Sequence, residues 1–217
     1  MAIFNPPTLA TIGLLVTGGI VATPVLYQGF KRRGKGVFYE QNYMIQRAPQ
    51  MATLANVVVI VLSFLCANNL FIDPSLHPIL TLANLMPKGA ADAVSWLGVL
   101  VFMSGLIFMI GGWYSLGDCF STDAEVLDGH KVRRTGMLKY VMHPAYSGII
   151  QCCLGTSLAA VSLPAALIAV AVVAPLWLRR AKYEEKLLLE SLGPDYQAYA
   201  EELKWRRLVP PCIPIGV

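Results

Sequence analysis

The chain has 217 residues, of which 56% are hydrophobic and only 14% charged. Soluble domains carry about 25% charged residues, so the composition excludes an ordinary soluble domain and points to a polytopic membrane protein. The net charge of +4 does not indicate a nucleic-acid partner, because where the cations lie matters more than their sum.

Span one is expected from about Leu9 to Phe30. It is uncharged and long enough for a hydrocarbon core that needs about 20 residues. Gly18, Gly19 and Pro24 lie inside it, small residues that permit close helix approach and a proline that can kink it. Lys31, Arg32, Arg33 and Lys35 stop it. No cleavable signal peptide is expected, because a basic n-region is missing and the apolar run passes straight into these cations. The connector to Gln50 carries Phe38, Tyr39 and Tyr43 and suits the membrane interface.

Span two runs from about Met51 to Phe71 and holds Asn56, Asn68 and Asn69, which read first as helix–helix hydrogen-bonding groups. The connector Ile72 to Ala93 contains three prolines and a short apolar piece, Ile79 to Met86, better suited to an interfacial or re-entrant position than to a span. Span three is expected from about Val94 to Leu116, with Gly105, Gly111 and Gly112 marking close packing. A charged segment, Gly117 to Met142, follows. Span four begins near His143 and runs to about Ser162. Span five runs from about Leu163 to Leu178, with Pro164 at a tight hairpin between them. Its helix should continue into water through Leu192 and end at Gly193. A last helix, Pro194 to about Trp205, puts Tyr196, Tyr199 and Leu203 on one side and is expected at the membrane surface.

With five spans and the N-terminus outside, sixteen of the seventeen Lys and Arg residues fall on one side, Lys88 being the exception. The positive-inside rule then places the C-terminus and the charged segments after spans one, three and five in the cytosol. The membrane is the endoplasmic reticulum in a eukaryote or the inner membrane in a bacterium. Five cysteines (Cys66, Cys119, Cys152, Cys153, Cys212) form no disulfide framework. Their odd number, with no CxxC or Cys/His spacing, argues against a metal site.

Two segments carry candidate chemistry. In His143-Pro144-Ala145-Tyr146 the proline suits a first helical turn, where its missing N–H had no partner anyway. His77-Pro78, followed by no tyrosine, shows that His-Pro alone is only a helix start. In the second segment Arg180 and Glu184 are four apart and share a helix face, next to Glu185. A surface ion pair there would contribute little. Together with His130, Arg133 and His143, however, the cluster offers both signs of charge to a ligand carrying an ammonium and an anion. No GxGxxG, Walker A, GxSxG or HExxH motif is present.

Residues 95 to 211 resemble the isoprenylcysteine carboxyl methyltransferases and the related phospholipid methyltransferases. The resemblance rests on His130-Lys131-Val132-Arg133, Gly136-Met137-Leu138 and Met142-His143-Pro144-Ala145-Tyr146-Ser147-Gly148. It continues through Arg180 with Glu184-Glu185, Gly193 with Tyr196 and Tyr199, and Arg207-Leu208-Val209-Pro210. It implies an all-α, polytopic membrane fold of about five transmembrane helices with a cytosolic C-terminal cofactor-binding region. It divides the chain into N-terminal helices without motif (1–93) and a methyltransferase core (94–217). The implied cofactor is S-adenosylmethionine (SAM), held by His130, Lys131, Val132, Arg133, Leu138, His143, Pro144, Ala145, Tyr146 and Glu184. Arg180 is implied to serve the methyl acceptor, as catalytic and substrate-binding residue. Two positions depart from the family pattern: Met142 stands where Arg is usual, and Leu138 where Tyr is usual.

The implied acceptor is lipophilic or lipidated and reaches the site from the membrane lipid. A guanidinium grips a carboxylate in a fork geometry, so Arg180 favours a prenylcysteine-like carboxylate. The alternatives are a phospholipid amine or small thiol acceptor, an NADPH-dependent membrane reductase, and a non-catalytic membrane scaffold. The glycine-bearing helix faces permit a homodimer.

Overall fold

The computed structural model describes residues 4–39, 42–70, 73–203 and 208. In chain order the helices are α1 (Pro6–Arg32), α2 (Tyr43–Gln46), α3 (Ala48–Ala67), α4 (His77–Leu80), α5 (Lys88–Leu116), α6 (Pro144–Ala159), α7 (Leu163–Ile168), α8 (Ala174–Leu192) and α9 (Pro194–Glu202). Two short strands, β1 (Phe38–Tyr39) and β2 (Glu125–Val126), pair antiparallel with Phe38 opposite Val126.

Among the described residues, four helical stretches are long and apolar enough to cross a membrane: Pro6–Arg32, Ala48–Ala67, Lys88–Cys119 and Leu163–Leu192. Their outer faces are apolar; Leu15 is 60% and Ile20 70% exposed. A row of such residues is costly in water and natural in lipid. The protein is an all-α polytopic membrane protein.

The expected span four, His143 to Ser162, is the shorter helix α6. Its 16 residues reach only ~24 Å at 1.5 Å per residue. The third span starts earlier than expected, at Lys88 rather than Val94, because the Pro87 carbonyl already accepts from the Ala90 and Ala91 amides. The stretch Leu163–Leu192 continues past the last apolar residues, as expected. It contains a π-helical turn, Ala169–Val173, between α7 and α8. Gly193, at φ +57°, separates α8 from α9. Trp205 and the closing Arg207–Pro210 motif lie outside the described residues, Leu208 excepted.

The chain clusters into two compact units. The first comprises Met1–Gly19, Gln50–Leu106 and Ile149–Pro175. Its asparagines tie helices together. Asn56 Nδ2 donates to the Ala165 carbonyl (2.7 Å), and Asn68 Oδ1 accepts from the Asn5 amide (2.8 Å). The α6–α7 turn is held by Thr81 Oγ1 on the Ala160 carbonyl and by Ser63 Oγ at 2.8 Å from Ser162 Oγ. Helices α5 and α6 touch at Gly98, where a Cβ would lie 2.2 Å from the Ala159 nitrogen.

The second unit comprises Ile20–Pro49, Ile107–Gly148 and Leu176–Val217. It contains the charged segments after the first, third and last long helices, and all the candidate site residues. Its core includes Met142, Tyr196, Tyr199 and Leu203, with Val132, Leu188, Leu192 and Ala200 packed around them. The Tyr196, Tyr199 and Leu203 side of α9 is therefore buried, at 1–5% exposure.

Candidate active site

The His-Pro turn is set by α5. Gly112 lies under the start of α6, where a Cβ would come within 2.7 Å of the Ala145 nitrogen and 3.0 Å of the Pro144 ring. A larger residue would push the turn away. The His143 carbonyl accepts from the Ser147 amide and hydroxyl, each at 3.1 Å.

This placement aims His143 and Tyr146 at one face of α8. His143 Nε2 lies 2.9 Å from Glu185 Oε1, both side chains under a tenth exposed. The rings of His143 and Tyr146 stack at 5.5 Å with 3° between their planes, and Trp177 lies 4.8 Å beyond Tyr146. Tyr146 donates a short hydrogen bond to Glu184 Oε1. Arg180 Nε reaches both the Tyr146 hydroxyl (3.1 Å) and Glu184 Oε1 (3.3 Å). Trp177, Arg180 and Glu184 follow one another at helical spacing, which puts them on neighbouring turns of one face.

Arg180 is 2% exposed. Its terminal nitrogens donate to two main-chain carbonyls, Nη1 to Gln46 and Nη2 to Thr122, each at 3.1 Å. Asp123, next to Thr122, is 4% exposed and takes Arg47 on both oxygens (2.8 and 3.1 Å) and Arg33 Nε at 3.2 Å. Burial alone would raise the Asp123 carboxyl. Arg47, with Arg33 behind it, outweighs burial and holds it below the ordinary carboxylate value.

A cavity of about 510 Å³ is lined by residues 118–119 and 127–135, within the usual size range of small-molecule sites, ~300–1,000 Å³. Lys131 and Arg133 line it together with Asp118 and Asp128, so both signs of charge are present. His130 Nδ1 is buried there with no hydrogen-bond partner among the described residues. Burial lowers the His130 pKa below its ordinary 6.5; the Glu184 charge opposes this and Arg133 adds to it.

Residues 96–190 match the model of the isoprenylcysteine carboxyl methyltransferase (ICMT) family. Over this segment the chain is similar to that family. The matched residues run from within α5 through the cavity and the His-Pro turn to the end of the Glu184–Glu185 helix face. No curated protein sequence matches the chain. The match and the long apolar helices support a membrane methyltransferase.

The structure divides the ten residues that the resemblance assigns to the cofactor. His130, Lys131, Val132 and Arg133 line the cavity. His143, Tyr146 and Glu184 form the buried cluster with Arg180. Pro144 and Ala145 pack on Gly112. Leu138 is 4% exposed, and its carbonyl accepts from the Tyr199 hydroxyl at 2.8 Å. Met142, where the family usually has Arg, is 5% exposed in the core with Tyr196, Tyr199 and Leu203. Met142 thus packs against α9, whereas Leu138 meets α9 through its main-chain carbonyl, a contact that does not depend on its side chain.

Sequence reasoning did not single out Glu185 as the partner of His143, nor Asp118 and Asp128 on the cavity, nor Gln46, Thr122 and Asp123 around Arg180. The adjacent carboxylates of the Glu-Glu pair carried a signal for Glu185. The contacts of Gln46 and Asp123 have no local pattern to reveal them.

Proposed function

We propose that the protein transfers a methyl group from S-adenosylmethionine to a lipophilic acceptor held in the bilayer, in the first place the carboxylate of a prenylcysteine-like substrate. The observation that supports this reading is the mixed-charge cavity, whose His130 feels the charge of Glu184 in the Tyr146–Arg180–Glu184 cluster. The residues suit the cofactor. Lys131 and Arg133 can take its carboxylate, and Asp118 and Asp128 its ammonium. The buried, unpartnered His130 Nδ1 offers a further polar contact to an incoming group. When bound, SAM supplies a methyl group on an electron-poor sulfonium.

Within this reading the chain's own residues position and shield. His130 to Arg133 bind the cofactor's charged end, and Tyr146 and Glu184 form the wall nearest the reacting groups. His143, fixed by Glu185, holds the Tyr146 ring by stacking. Arg180 balances the Glu184 charge, and its buried positive charge favours an acceptor carboxylate over a cation. Holding reactants in line is the main requirement of such a displacement and can supply several kcal/mol of barrier reduction. A carboxylate acceptor arrives ionised and needs no base, whereas an amine must first lose a proton. The cation count places the cofactor side in the cytosol.

The test is transfer of an isotopically labelled methyl group from SAM to an S-prenylcysteine probe by the detergent-purified protein, with a phospholipid amine and a thiol in parallel. Base-labile label on the prenylcysteine probe is the expected result. Label only on the amine or thiol would replace the proposed acceptor, and no transfer to any acceptor would overturn the reading.

A further inference from the structure

The segment from Arg33 to Arg47 lies outside the family-matched residues 96–190, yet it is built into the site. Gln46 is 3% exposed. Its side-chain amide pairs with the main chain of Ala124 in both directions, Nε2 to the carbonyl and Oε1 from the amide, each at 3.0 Å. The Glu125 carboxylate accepts the amides of Gly34 (3.0 Å) and Gly36 (2.7 Å), and the Val37 amide donates to the Val126 carbonyl at 2.8 Å. Gly34, Gly36, Val37 and Gln46 are thus tied to residues 124–126 by main-chain and side-chain hydrogen bonds.

Asp123 lies at the centre of this seam, bound by Arg33 and Arg47. The carbonyls flanking the seam, those of Gln46 and Thr122, are the acceptors of the two Arg180 terminal nitrogens. A main-chain carbonyl cannot swing as a side chain does, so two of them fix the plane and rotation of a guanidinium. The Nε edge that remains faces Tyr146 and Glu184.

We propose that Asp123 is a positioning residue for the methyl-transfer site. Through Arg33 and Arg47 it sets the Gln46 and Thr122 carbonyls, and these orient Arg180 toward Tyr146 and Glu184. The proposal rests on the reading of that cluster as the site of transfer, and it gives the N-terminal connector a part in the chemistry.

The direct readout is the Arg180 Nε–H signal in nitrogen-15 spectra of the full chain in detergent, assigned by its loss in Arg180→Lys. In the wild type this signal should be sharp and slow to exchange with water. Asp123→Asn should broaden it or speed its exchange, and Arg47→Lys, which keeps the charge but loses the two-pronged grip, should do so more weakly. SAM affinity, measured alongside, should fall about tenfold in Asp123→Asn and change little further when Arg180→Lys is already present. An unchanged Arg180 signal in both folded variants would overturn the proposal, as would affinity losses that simply multiply. If the wild type binds no SAM, the functional reading fails, while the Arg180 signal still decides whether Asp123 positions it.

Discussion

His143 Nε2 and Glu185 Oε1 lie 2.9 Å apart, in side chains 8% and 4% exposed. The pair joins the start of α6 to the middle of α8 and so sets the ring on which Tyr146 stacks. Removing one partner of a buried hydrogen bond typically costs about 1–3 kcal/mol, because the other is left unsatisfied. Glu185→Ala should therefore lower the thermal unfolding midpoint strongly, and Glu185→Gln, which can still hydrogen-bond, much less. Equal midpoints for the two variants, measured in detergent by circular dichroism, would show that the pair does not hold the turn.

Glu184 accepts from both Tyr146 and Arg180, and its charge acts on His130 at the cavity. Glu184→Ala should weaken SAM binding by about tenfold or more, a loss of ~1.4 kcal/mol. It should cost less stability than Glu185→Ala, because Glu184 is 22% exposed against 4% for Glu185. Calorimetric titration with SAM measures the first effect and thermal unfolding the second. Undiminished affinity would remove Glu184 from the cofactor site.

Met142 occupies the core position where the family usually has Arg. Restoring that residue, Met142→Arg, would drive a cation among Tyr196, Tyr199 and Leu203. It should destabilise the protein by ~3 kcal/mol or more and loosen α9, made visible by faster proteolysis at that helix. Met142→Leu should be nearly neutral. A stable Met142→Arg protein would show that this cluster tolerates a charge.

The pH dependence follows from two groups. His130 has a folded pKa below its ordinary 6.5. Above about pH 6.5 both folded and unfolded chains hold it neutral, and it contributes nothing. As pH falls below that value the unfolded chain takes up the proton first, so stability declines until the folded pKa is passed. Asp123 has a folded pKa below 3.8. Its contribution is present above that value and is lost as pH falls through the lower range. Unfolding midpoints between pH 7.5 and 5.5 should thus fall in the wild type and flatten in His130→Asn. An identical slope in both would exclude His130 as the source.

How much of this was legible in the sequence differs by residue. Pro144 and Gly193 marked helix boundaries through backbone chemistry alone, and Arg180 with Glu184 marked a shared face through spacing alone. Both signals are local. Which of two adjacent carboxylates meets His143 depends on ~100° of helix rotation between neighbours and on the seating of α6 against Gly112, which spacing does not report. The Arg180 contact to Gln46 spans 134 residues, and the Arg47 contact to Asp123 spans 76. No periodicity links such positions. Met142 and Leu138 read in the sequence as departures from a family pattern; in the structure they are core residues under α9.

The central claim is that the cavity lined by His130 to Arg133 binds SAM. Calorimetric titration of the detergent-purified wild-type protein with SAM, with NADPH titrated in parallel, tests it most directly. Saturable binding of SAM, weakened in Glu184→Ala, and none of NADPH is the expected result. A folded protein that bound NADPH, or neither ligand, would contradict it.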